Sequence, residues 1–200
     1  MRGLMFLPAT LLALTPAFVA CGQDAAPASH HDASPQFSYD SERVAPRRED
    51  LASNDDETRP DPEDSVVELD LDGRGTGVVW IDQKHINEIY FQHSDPDDPD
   101  AWTKPKLIFR AGNGCLTLNA ATDGEGVAVG SGCYEIDAFR QQAPDQGVAV
   151  VSPNLADWDS TEVGESNPVP EFTEDGVLWT NQVYDDRVDV RWTEDDGFSR

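Results

Sequence analysis

From Ser65 to Arg200 no stretch keeps its apolar residues on a helical period for three turns, and this limits the fold more than any other feature. What recurs instead is a short apolar run closed by Gly, Asp, Asn or Pro. The candidate strands are 65–71, 76–82, 88–93, 106–110, 115–120, 126–130, 147–151, 176–180 and 188–193. Several alternate, so that Val188, Val190 and Trp192 share one face. Asp137 to Gln142 offers a brief helical turn at most. Many short strands with Gly- and Asp-rich turns predict an all-β domain of short antiparallel sheets, arranged as a sandwich, a barrel or propeller blades. Residues 65–200 are long enough for one core.

The residues ahead of this domain have a different texture. Arg2 precedes Leu4 to Val19, a mostly apolar run too short for a comfortable membrane span. With its small-residue end, that run reads as the apolar region of a secretory signal peptide, residues 1–20. Phe18-Val19-Ala20-Cys21 resembles a lipobox, the bacterial signal after which cysteine becomes the first mature residue. Val19 and Ala20 match its small positions, and Phe18 stands where Leu is usual. The resemblance implies acylation of Cys21 and a lipid anchor in the cell envelope, each buried methylene adding about 0.8 kcal/mol. The plainer reading is a signal peptide cut near Ala20. Residues 21–64 then hold few apolar side chains and many Pro, Ala, Ser, Asp and Arg, the composition of an unstructured acidic tether. His30-His31 within it offers too few ligands for a metal.

Spending Cys21 on lipid leaves Cys115 and Cys133 as a pair. Each lies in a candidate strand or just beyond one, and the turn composition Thr122-Asp123-Gly124-Glu125-Gly126 is centred between them. The two cysteines would face each other across an antiparallel hairpin. An exported chain meets oxidising conditions, so a disulfide is expected. Zinc is the rival, but two cysteines without nearby histidines cannot fill four ligand positions.

The chain carries 39 acidic and 14 basic side chains, a formal net charge of −25, and its only lysines are Lys84, Lys104 and Lys106. Such a charge repels phosphate backbones and argues against nucleic acid as a partner.

One pattern repeats: an apolar strand, Ser or Thr, an acidic loop, then an aromatic residue. The first copy runs from Ile89-Tyr90-Phe91 through Ser94 and Asp97 to Trp102. The second comprises Ser152, Asn154 and Trp158; the third comprises Thr193, Asp195 and Gly197 before Phe198. This resembles the Asp-box, or bacterial neuraminidase repeat, of sialidase-like β-propellers, with consensus Ser/Thr-x-Asp-x-Gly-x-Thr-Trp. Asn154 replaces the Asp, Arg200 stands where Trp belongs, and the first loop is longer than the consensus. The resemblance implies blades of four strands, with the Asp accepting backbone N–H groups and Gly supplying a positive φ. Residues 65–200 hold about three blades, fewer than the four to eight of a closed propeller. An incomplete ring, an oligomer that closes it, or a β-sandwich would each fit.

Sialidases also use three arginines, a Tyr–Glu pair and an Asp acid/base, preceded by a Phe/Tyr-Arg-Ile-Pro segment. Here Phe109-Arg110 is followed by Ala111-Gly112, so no catalytic residue is assigned. The acidic runs 95–100 and 70–73 contain carboxylates suited to calcium but lack a fixed ligand spacing, and read as solvated turns. Trp80, Trp102, Trp158, Trp179 and Trp192 read as core. No cofactor or metal is expected. The function expected is a membrane-anchored, non-catalytic binding or structural module with a glycan or protein ligand. A sialidase-type hydrolase, and a subunit completed by a partner chain, are the alternatives.

Overall fold

The computed structural model describes residues 35–51, 62–135, 144–181 and 189–200. The leader 1–20, Cys21, His30-His31 and the turn expected at 137–142 lie outside the described residues. The described chain is all-β, with three four-stranded antiparallel sheets. The first contains β1 (Val66–Leu71), β2 (Gly75–Ile81), β3 (Glu88–His93) and β4 (Lys106–Arg110). The second contains β5 (Gly114–Thr122), β6 (Val127–Tyr134), β7 (Gln146–Ser152) and β8 (Asp159–Gly164). The third contains β9 (Pro168–Thr173), β10 (Gly176–Asn181), β11 (Val190–Thr193) and β12 (Gly197–Ser199). Within each sheet the strands neighbour one another in chain order.

The second sheet is covered on both faces, which explains the nearly unbroken apolar runs of β6 and β7. Val127, Val129, Val148 and Val150 belong to one core with Leu69, Leu71, Val79, Ile81, Ile89 and Phe91 of the first sheet. Their alternates Ala128, Ala149 and Val151 pack with Val177, Trp179, Val190 and Trp192 of the third. Small residues on that side leave room for indole rings. Trp179 is 1% exposed, and its indole N–H donates to the Val129 carbonyl at 2.9 Å. Backbones also come close here: a Cβ on Gly130 would stand 1.9 Å from the Pro168 carbonyl oxygen. Only glycine fits there.

Three strands escape the sequence pattern. In β8 only Val163 is buried, and β12 is three residues long. The prolines at 168 and 170 argue against a strand, yet β9 lies at the end of its sheet and bonds only β10. An edge strand can lack those N–H groups.

Cys115 and Cys133 pair directly across β5 and β6 and form a disulfide, as the hairpin reading expects. Both are fully buried.

The tether reading is corrected over residues 35–51, which dock on the first sheet as a strap. Ser41 and Trp102 exchange backbone hydrogen bonds, each at 3.0 Å. The fully buried Gln92 amide secures the next residues. Its Oε1 accepts the Val44 and Ala45 N–H groups at 2.9 and 3.2 Å. Its Nε2 donates to the carbonyls of Glu42 and Thr103 at 2.8 and 2.7 Å. Arg43 lies over the Trp102 ring and pairs with Glu68. Ala45 and Leu51 pack with Val66, Val78, Trp80, Tyr90 and Trp102 on the face of the first sheet turned away from the second, while Phe37 packs against the core on the opposite face. Composition hides this because few of its residues are apolar; a polar side chain on the sheet supplies much of the hold.

Candidate functional site

All three repeat copies occupy the same place in their sheets, the connection from the third strand to the fourth. The second turn is the most regular. Asn154 Oδ1 accepts the N–H groups of Ala156 and Asp157 at 2.9 and 2.8 Å. The Trp158 indole donates to the carbonyl three residues back, that of Leu155, at 3.2 Å. Trp102 repeats this contact, donating to Pro99 at 3.0 Å. In the first copy, however, Asp97 is not the acceptor. Its own N–H donates to Asp95 Oδ1 at 2.8 Å, and Asp98 accepts from Asp100 at 3.1 Å. The Asp95-Pro96 dipeptide, a turn initiator, is the signal that would have found it. Ser94 Oγ instead accepts the Thr76 N–H at 2.9 Å, tying the turn to β2. In the third copy the Thr193 hydroxyl accepts the Asp196 N–H at 3.1 Å, Gly197 takes φ 67°, and Asp195 is exposed.

The Asn154 cap gives a direct prediction. Asn154→Ala strands two N–H groups and is expected to lower unfolding stability by about 1–2 kcal/mol in urea titration. Asn154→Asp keeps the acceptor but replaces the amide that donates to Asp157 at 3.1 Å with a second carboxylate, so it should recover only part of that loss.

Two of these turns meet at one cleft. Pro153, Thr193 and Asp195 line it, together with the β5–β6 and β9–β10 turns, around about 550 Å³. Its walls carry the carboxylates of Asp123, Glu125, Glu174, Asp175 and residues 194–196, and among the described residues no basic side chain lines it. Phe172, Val177 and Trp192 contribute its apolar lining. Asp123 is partly committed, since its Oδ1 accepts from Glu125 and Gly126 at 3.0 and 2.7 Å. The arrangement favours a cationic group with an apolar body. No family model, curated protein or solved structure matches this chain. The first copy, with Ser94, Asp97 and Trp102, does not line the cleft.

A different cluster sits on the β2–β3 connection. Asp82, His85 and Glu88 bring three donor atoms within 4.8 Å of one another, an arrangement the sequence reading missed. Asp82 Oδ1 accepts the N–H groups of Lys84 and His85, and the carboxylate lies 3.6 Å from His85 Nδ1. Glu88 is already engaged: Tyr90 donates to it at 2.7 Å and the Arg110 guanidinium pairs with it. The Tyr90 hydrogen bond, then Arg110, holds the Glu88 carboxyl below its usual range, while the same bond raises the Tyr90 hydroxyl. A cation there would have to share Glu88 with a guanidinium, which opposes it.

The described arginines are dispersed. Arg74 donates to the Glu125 carbonyl and Arg110 pairs with Glu88. Arg191 is exposed on β11, and Arg200 donates to the Glu162 carbonyl. Arg140, Arg187 and Tyr184 lie outside the described residues.

Proposed function

We propose that this chain is an exported lipoprotein, anchored in the cell envelope by acyl chains on Cys21, whose body is a non-catalytic binding module of sialidase-like blades. The observation that carries the export reading is the buried disulfide of Cys115 and Cys133, which links β5 to β6 in the first hairpin of the second sheet. Such bonds form and persist outside reducing compartments. The blade reading is supported by three sheets of one topology, each with its repeat copy on the last connection. The acidic cleft supports a basic protein segment as ligand rather than a sialic acid, whose carboxylate it would repel. The strap supports a body that stands without a partner chain, because it covers an apolar sheet face from within the same polypeptide.

Mass spectrometry of the protein made in a bacterial host tests the anchor. The mature chain should begin at Cys21 and carry acyl mass, and Cys21→Ser should leave it unacylated and out of the membrane fraction. An unmodified start at another residue would refute the anchor.

A further inference from the structure

His93 sits where the strap meets the first sheet. It is 1% exposed, and among the described residues neither ring nitrogen makes a well-formed hydrogen bond. Phe37 and Tyr39 of the strap stand perpendicular to the ring, with centroids at 4.6 and 5.4 Å. Phe91 of β3 stacks near it at 5.7 Å. A neutral imidazole fits this enclosure. An imidazolium would lose its hydration there, and the ring faces that attract a cation replace none of its water hydrogen bonds.

The charged groups around it pull in both directions. Asp95, on the β3–β4 connection, favours the charged ring, as do the backbone groups of Ser94 and Arg74. The Arg74 guanidinium, from the β1–β2 turn, opposes it. Burial is the largest influence and holds His93 below its ordinary value. Burial and then Asp95 push the Tyr39 hydroxyl up, so Tyr39 brings no charge near neutrality.

We propose that the strap is a proton-operated latch: acidification releases residues 35–51 from the first sheet through His93, while the three sheets stay folded. The strap yields first because its described hold is one backbone bridge, the Gln92 amide, surface ion pairs of Arg43 and Asp40, and a small apolar contact. β3, by contrast, is bonded to strands on both sides. Local opening draws on the weakest contacts. Release exposes His93 to water, where its ordinary value is about 6.5. The open state therefore binds the proton more readily. Docking keeps its full strength above about pH 6.5 and weakens below it, by at most about tenfold per pH unit, until the docked ring also titrates.

Amide exchange of the full chain, followed by mass spectrometry and corrected for the intrinsic pH dependence of exchange, tests the latch. Between pH 7.5 and 5 the amides of residues 41–51 should lose about tenfold in protection, while β6 and β7 hold theirs. His93→Phe should keep the strap protected at pH 5, and Gln92→Leu should loosen it at both pH values. Strap protection that ignores pH, that falls equally in His93→Phe, or that falls together with β6 and β7 overturns the proposal. If His93→Phe fails to fold, the His93 Cε1 proton resonance of the unaltered protein decides: its titration must track strap loss, and titration without strap loss overturns the latch. None of these measurements depends on how the N-terminus is processed, so failure of the anchor is read separately.

Discussion

Trp179→Ala is expected to cost about 3–5 kcal/mol of unfolding stability, the loss that follows removal of a buried indole from a packed core. The ring fills the space left by Ala128 and Ala149 between the second and third sheets. Those neighbours have no longer side chains with which to close the gap. The Val129 carbonyl also loses the indole N–H as a donor. Trp179→Phe separates the two effects: it keeps most of the apolar volume, loses the N–H, and should cost about 1–3 kcal/mol. Urea unfolding of the two variants measures both. A cost below about 1 kcal/mol for the alanine variant would mean that the third sheet does not rest on the second as described.

Strands that bury one face, or both, were legible in the sequence. Val190 and Trp192 announced β11 by alternation, with Val188 of the same pattern lying outside the described residues, and the 147–151 run announced β7 by being apolar throughout. What stayed hidden were strands whose identity comes from a neighbour. β8 reads Asp-Ser-Thr-Glu-Val-Gly and is defined by its pairing with β7, not by a buried pattern. β9 contains two prolines that only an edge position tolerates. The strap was hidden for a related reason. Gln92 reads as a polar strand residue, and nothing in one sequence shows that its amide is satisfied by backbone fifty residues upstream.

The site was less legible than the fold. The repeat placed Ser152, Asn154 and Trp158 in a self-bonded turn, and that turn depends on contacts among near neighbours. The acidic cleft is assembled from turns of two sheets, separated by long stretches of chain. In a chain with 39 acidic residues no local signal marks the few that converge. His93 shows the same limit: its significance comes from Phe37 and Tyr39 in a segment that composition assigned to the tether.

Removing the disulfide by the double change Cys115→Ala and Cys133→Ala is expected to lower stability by about 3 kcal/mol, the loop-closure value for a link of this span. For a domain of this size that corresponds to a fall in Tm of about 6–12 °C. The sulfurs are fully buried, so a thiol reductant should act slowly on the native protein. Its rate should rise steeply in mild urea, because attack waits for an opening that separates β5 from β6. Calorimetry with and without reductant measures the first effect, and thiol labelling against urea the second. A Tm unmoved by complete reduction would defeat the prediction. Since domain stability is only about 5–15 kcal/mol, a chain folded under reducing conditions lacks a large share of it. A large share of the stability of this fold therefore depends on a bond that oxidising conditions maintain.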